Sequence, residues 1–413
     1  MNAGQSRALA RRLLLFTTAV AVVSDALLIP FYPDLFALRF GVESSSHVGL
    51  YLAATCLMVV VVLPGWARIE RRIGALPLLV GAQAAAGLLA IACHFCTDVT
   101  QFWAVSLTMI AFKASYLLVY PFLLRLETPE THATTIGLLT VLVHLGGIAG
   151  ATVGGGLVGR FGPESTFLGM AAGDFIQMVA CASLYRRAPR ILDVENAEHG
   201  GAAPDVDTLG AAAVAARGAA GRRLLRLAAV MLLAYLAVFS LRPFFVAFWR
   251  EATGSTSELL AGLVFATPAG ASIAALLFYH RTGRPMAAPR RSLPLAGFGL
   301  LVILTGHPVA IIAGLAIFGW GAFESLVKLD TLIFENRPPS DYAVDFSLAH
   351  ISQQLGALAG FMLAGFATTV YGFRAPFVLA IVTLLLSVLV FEWLFRPRAP
   401  EVSAPSGLPE ASS

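Results

Sequence analysis

Charge is what this 413-residue chain lacks most: Asp, Glu, Lys and Arg make up 13% of it, against about 25% in an ordinary globular chain. With 58% hydrophobic residues and a mean hydropathy of +0.79, the composition is that of an integral membrane protein. Lysine is nearly missing, since only Lys113 and Lys328 stand among the 28 basic residues, and both fall inside apolar stretches. The four cysteines decide little. Cys93 and Cys96 with His94 between them suggest a thiol or metal site, set against ordinary small apolar packing at a helix end. There is no P-loop, HExxH or GxSxG arrangement, so ATP is not expected as the direct energy source, nor is an enzyme, a cofactor or a bound metal. Ten-residue segments of alternating polarity, the mark of a membrane barrel, are lacking too.

Apolar runs near twenty residues recur instead, about the length a helix needs to cross roughly 30 Å of hydrocarbon. Twelve spans are expected, at about 13–37, 48–66, 75–94, 102–124, 135–158, 165–185, 225–249, 258–279, 286–305, 309–334, 342–370 and 375–395. Pro285, Pro289 and Pro294 crowd the ninth. The first run is too long for a signal-peptide core and holds Asp25, so it is expected to stay as a helix. The expected fold class is an all-α membrane protein, with twelve transmembrane helices in two six-helix bundles. Its parts are a cytoplasmic N-terminus (1–12), a bundle (13–185), a polar cytoplasmic linker (186–224), a second bundle (225–395) and a disordered cytoplasmic tail (396–413).

Arginine placement orients the chain. Twenty-one arginines fall on the side of the termini and the linker; Arg39, Arg160, Arg250 and Arg374 fall on the other. Both termini are therefore expected in the cytoplasm, with a bacterial inner membrane as the location. The net charge of +4 reflects this bias and points to no nucleic-acid partner.

A 210-residue shift superposes the halves without gaps in several places. HLGGIAGATVGGGLVGRFG (144–162) lies over QLGALAGFMLAGFATTVYG (354–372), pairing Gly146, Gly150, Gly155 and Gly162 with Gly356, Gly360, Gly365 and Gly372. Pro33 likewise falls over Pro243, and Pro129 over Pro339. Two parallel six-helix repeats describe the major facilitator architecture.

Each glycine in a helix costs about 1 kcal/mol relative to alanine, yet 137–156 holds seven. Gly146, Gly150 and Gly154 recur every fourth residue and so form a stripe that lets another helix come close. With Gly137 and Gly155 they resemble the antiporter motif in the fifth helix of exporting major facilitator proteins, G-x8-G-x3-G-P-x2-G-G, with Ala151 where the family has proline. The resemblance implies export, and helix packing that limits leakage. The stretch GWARIERRIGALP (65–77) resembles the superfamily's basic loop after the second helix, with Arg72 and Gly74 in register. Arg71 takes the usual aspartate position, beside Glu70 and after Arg68, and the cluster is expected to form a cytoplasmic gate.

Polar and ionisable residues inside a membrane are expensive unless they face a cavity or a partner. The spans carry Asp25, Lys113, His144, Asp174, Arg242, Glu324, Lys328, Asp330, His350, Gln353 and Gln354. Glu324 and Lys328 have the spacing to neutralise each other, and Asp34 and Arg242 sit where snorkelling could suffice. Asp25 and Lys113 have no partner on their own helices. Asp25, Glu324 and Asp330 are the proton-coupling candidates; Lys113, Arg242, Lys328, His144, Asp174, His350, Gln353 and Gln354 are the substrate-binding ones. Lys113 and Glu324 are expected to face one cavity from the two halves. Three cations suit an anionic or zwitterionic solute rather than a lipophilic cation.

The stretches SDALLIPFYP (24–33) and KASYLLVYPFLLRLE (113–127) resemble facilitator proteins associated with carboxylate siderophores. The expected function is proton-coupled export, by a monomer in membrane lipid, of a polar charged metabolite such as a siderophore or metal chelator. The alternatives are a multidrug/proton antiporter and, in another class, a membrane sensor or assembly protein, for which the linker and tail are too short to form an output domain.

Overall fold

A computed structural model of the chain describes residues 3–119, 122–123, 129–187, 219–334 and 342–395. Most of the linker and the tail lie outside the described residues. The regular elements are α1 (Ala3–Ala26), a 3-10 turn (Ile29–Phe31), α2 (Tyr32–Phe40), α3 (Ser45–Ile73), α4 (Ala75–Phe95), α5 (Val99–Lys113), a second 3-10 turn (Ala114–Leu118), α6 (Pro129–Phe161) and α7 (Ser165–Arg187). The second half holds α8 (Ala219–Leu241), α9 (Phe245–Thr253), α10 (Glu258–Phe265), α11 (Thr267–Thr282), α12 (Pro289–Ile303), α13 (Pro308–Phe334), α14 (Tyr342–Tyr371) and α15 (Ala375–Leu394).

Ten stretches among the described residues are long and apolar enough to cross a membrane, each at an expected span. The fourth and ninth spans are carried by shorter helices, α5 with its 3-10 turn and α12, which opens on Pro289 and holds Pro294 internally. Large apolar side chains such as Leu88, Val179, Leu389 and Trp393 are exposed, as lipid-facing residues must be.

Proline sets the breaks, because it lacks an amide hydrogen and its ring clashes with the carbonyl four residues back. Pro30 and Pro33 divide the first span into α1, the 3-10 turn and α2. Pro243 divides the seventh into α8 and α9, and Pro268 lies in the first turn of α11 after the break at Ala266.

The repeat is visible in the backbone. Gly162 and Gly372, one repeat apart, both take the left-handed region that favours glycine, at φ 87° and 81°. A side chain on Gly146 would strike Val22, and one on Gly356 would strike Leu232. Gly150 lies against Val23 and Ala26, as Gly360 lies against Leu236. The fifth span thus packs on the first as the eleventh packs on the seventh, with 210-residue mates in contact.

Within the first bundle α1 packs on α6 and α7, and α4 on α7; within the second α8 packs on α14 and α15, and α12 on α13. The bundles meet where α3 touches α14 and where α6 touches α10 and α11. Much of this contact lies at one end, here called the distal end, where the odd-numbered spans finish. There Gly155 lies against the backbone of Glu258 and Leu259, Gly262 against Ala151, and Gly49 against Gly365. The Ser46 and Thr369 hydroxyls are 2.7 Å apart.

One expectation about local structure needs correction. The basic cluster Arg68, Glu70, Arg71 and Arg72 is not a loop: α3 continues to Ile73, and Gly74 alone, at φ 84°, turns the chain into α4. Glu70 is buried there. The absence of proline at Ala151 leaves α6 continuous through that position.

Candidate functional site

Three of the charged side chains singled out from the sequence sit at or beside helix breaks. Asp25 is one residue from the end of α1, Lys113 ends α5 where the chain tightens to 3-10, and Arg242 occupies the gap between α8 and α9. Broken helices free the backbone from its regular ladder and let side chains project into the bundle at mid-span.

Lys113 joins three helices. Its Nζ lies 2.9 Å from Asp25 Oδ1 and 3.1 Å from Asp174 Oδ1. The lysine is 6% exposed and Asp174 fully buried, whereas Asp25 is 33% exposed and is the most open of the three. Asp174 gets there because Gly173 beside it lies hard against Ser24 of α1, an approach that no larger residue would permit. Asp174 Oδ2 is buried with no hydrogen-bond partner among the described residues. The Tyr116 phenol lies next to Asp25. Two carboxylates on one ammonium leave one negative charge in excess when all three ionise.

The second bundle treats its charges differently. Glu324 is buried and accepts hydrogen bonds from Tyr279 Oη and, at 3.0 Å, from Trp320 Nε1. Lys328, four residues on, is not paired with it, and the partners shown for Lys113 and for Glu324 each come from their own bundle. Gln353 Nε2 donates to Asp330 Oδ1 at 3.3 Å. His144 of α6 meets Phe323 of α13 edge-on, with ring centroids 5.8 Å apart, so it bridges the bundles beside Glu324. Gln354 is half-buried on α14. The side chain of His350 and the surroundings of Gly137 lie outside the described residues.

Arg242 lines a cavity of about 150 Å³ between the bundles. Ala26, Ile29 and Gly147 form the first bundle's wall; Phe245, Phe265, Phe318 and Phe377 are among the residues that the second contributes. The guanidinium lies over the Phe239 ring, 4.5 Å from its centroid.

Sequence reasoning missed the group that ties the distal ends together. Arg250 of α9 pairs with Asp34 of α2 and, at 3.1 Å, with Glu258 of α10. Asp34 therefore pairs with a half-buried Arg250 and has a partner beyond snorkelling, while Arg242, at the break that follows α8, lines the cavity between the bundles. One signal existed, because Arg250 is among the four arginines on the arginine-poor side. Arg39, another of the four, is also engaged, since its guanidinium donates to the Cys96 and His94 carbonyls and ties α2 to the end of α4.

The Cys93, His94 and Cys96 cluster packs. His94 Nδ1 lies 3.0 Å from the Glu164 carbonyl oxygen, Cys96 Sγ donates to the Ala92 carbonyl, and burial raises the Cys96 thiol above its ordinary pKa. Among the described residues no group of three metal-capable side chains is assembled.

Two pseudosymmetric helical bundles, broken helices at mid-span and charges held at the breaks define a membrane transporter of the alternating-access kind. The chain matches the Major Facilitator Superfamily over residues 14–327 and belongs to that superfamily. No curated protein matches it. Among solved structures it is similar to a bacterial homologue of the human lysosomal transporter Spinster in an inward-facing and occupied conformation, with a TM-score of 0.72, 13% identity and coverage of 95% of this chain and 97% of that one. It is also similar to a point mutant of the nucleoside transporter NupG, with a TM-score of 0.70, 10% identity and coverage of 94% and 100%. The human organic anion transporter MFSD10 (TETRAN) follows, with a TM-score of 0.65, 18% identity and coverage of 93% and 99%. These likenesses carry the fold. With the family, they make the chain a multi-pass secondary transporter of small molecules and not an enzyme.

Proposed function

We propose that the chain is a proton-coupled exporter of an anionic small metabolite, of the carboxylate siderophore or chelator kind, acting as a monomer in a bacterial inner membrane with both termini cytoplasmic. The observation that carries the coupling is one buried ammonium held by two carboxylates of unequal access. Protonation of Asp25, the more open carboxylate, removes the excess negative charge and leaves Lys113 balanced by Asp174 alone. A buried net charge is unfavourable in a low-dielectric interior, so gain or loss of this proton shifts the balance between bundle arrangements. Asp330 and Glu324 serve as secondary proton sites, and Lys328, His144, His350, Gln353 and Gln354 as polar contacts for the solute. The glycine stripe of α6 and its resemblance to the exporter motif support the outward direction. Arg242 in the cavity wall disfavours a lipophilic cationic drug, which it would repel.

The test compares culture medium from cells with and without the gene. Loss of an anionic chelator outside, with accumulation inside, is expected. An unchanged medium together with altered resistance to unrelated cationic drugs would establish the multidrug alternative instead.

A further inference from the structure

The intramembrane and gate cations differ in how they are engaged. Lys113 is held by two carboxylates and Arg250 by two more. Arg242 makes no ion pair and no side-chain hydrogen bond among the described residues. The ionisable groups it faces are the Tyr235 phenol and the Cys56 thiol, neither of them a carboxylate. Lys328 is also without an ion pair there, but it does not line the cavity between the bundles.

A charge desolvated without a counter-ion is costly, and a fold keeps one where a ligand supplies the opposite charge. The geometry supplies further detail. A guanidinium offers a planar fork of donors that suits a carboxylate or sulfonate, and its seat over the Phe239 ring, 4.5 Å from the centroid, holds it at the cavity wall. Around it the cavity is lined by Ala, Ile, Gly, Val, Leu, Phe and Pro, with Arg242 the one charged member. A cavity of about 150 Å³ with apolar walls is of the size that holds a benzene ring.

We infer that Arg242 binds the anionic group of the transported solute, and that the part of the solute next to that group is a ring-sized apolar or aromatic body. The inference rests on the reading of the solute as an anion and narrows its class: a monoanionic, amphipathic end enters this cavity, and a compact polar polyanion does not.

The test is equilibrium binding to the purified full chain in detergent at one fixed pH, with no gradient. Three probes are used: benzenesulfonate, which stays ionised and matches the cavity; citrate, a polar polyanion; and tetraphenylphosphonium, a lipophilic cation. Benzenesulfonate is expected to bind, and Arg242→Gln to weaken it by about tenfold or more, the loss expected when a charge-assisted pair is removed. Arg242→Lys, which keeps the charge without the fork, is expected to fall between. Phe239→Leu, which retains the cation but removes the ring beneath it, is expected to weaken binding less than Arg242→Gln. Melting curves without probe establish that each variant is folded, and the lysine variant carries the test if the glutamine one is not.

Equal benzenesulfonate affinity in wild type and Arg242→Gln would overturn the assignment of Arg242. Tighter binding of citrate, or failure of benzenesulfonate to bind wild type, would overturn the apolar body. Preference for tetraphenylphosphonium would overturn the anionic solute itself and with it the metabolite-export reading, in favour of the multidrug alternative. A negative result with benzenesulfonate alone leaves proton coupling through Asp25 standing, since that is measured separately by pH-driven transport.

Discussion

Lys113 holds two acidic neighbours from different helices, and the consequences of replacing any of the three can be ordered. Removing one partner of a buried ion pair leaves an uncompensated charge and costs about 3–5 kcal/mol. Lys113→Ala is therefore expected to lower the melting temperature of the purified protein markedly. Adding Asp174→Asn should recover part of the loss, because it removes the fully buried charge that the first change strands. A double variant less stable than Lys113→Ala alone would show that the Asp174 carboxylate is held by something other than Lys113. Asp25→Asn mimics the protonated form, so pH-driven accumulation in proteoliposomes is expected to vanish while energy-independent exchange of solute persists. Asp25→Asn protein that still concentrates solute against its gradient would remove Asp25 from the mechanism. Little of this triad was legible in the sequence. Each member stood out as an intramembrane charge, but Asp174 is 61 residues from Lys113, and no helical periodicity connects groups on three separate spans.

At the scale of elements, α6 separates glycines that matter from glycines that do not. A Cβ on Gly154 would run into the Leu27 backbone, which cannot move aside as a side chain can, whereas nothing lies within 4 Å of one on Gly147. Gly154→Ala is expected to destabilise by roughly 1–3 kcal/mol, as overpacking does. Gly147→Ala is expected to be neutral, or stabilising by up to about 1 kcal/mol through helix propensity. Thermal melts of the two variants check this, and equal behaviour would reduce the stripe to composition. The spans and the 210-residue mates were readable, because hydropathy and recurring glycines are local signals. The stripe's orientation toward α1 was not, since a bare face says only that something comes close. Nor did the basic stretch at 68–72 announce itself as helix, because its resemblance to a loop motif hid a continuous α3.

The whole molecule is shut at its distal end by two seams and an ion cluster: α3 on α14, α6 on α10, and Arg250 between Asp34 and Glu258. Alternating access requires both seams to part. Replacing Ser46 and Thr369 together with cysteine is expected to allow a disulfide across the first seam, since their hydroxyls are 2.7 Å apart. Oxidation should then abolish transport and a reducing agent should restore it; undiminished turnover in the cross-linked protein would mean that this seam never opens. The seam helices also show where damage to the protein and damage to its cycle diverge. Gly154 faces α1 of its own bundle, while Gly155, the next residue, faces the other bundle across the distal seam, a contact that alternating access requires to part. A methyl group on the first is present at every moment of the protein's life, so it should be read out as how much protein a cell retains. The same methyl on the second is felt only when the distal end closes, and should leave abundance intact while tilting which side of the membrane the empty carrier waits on.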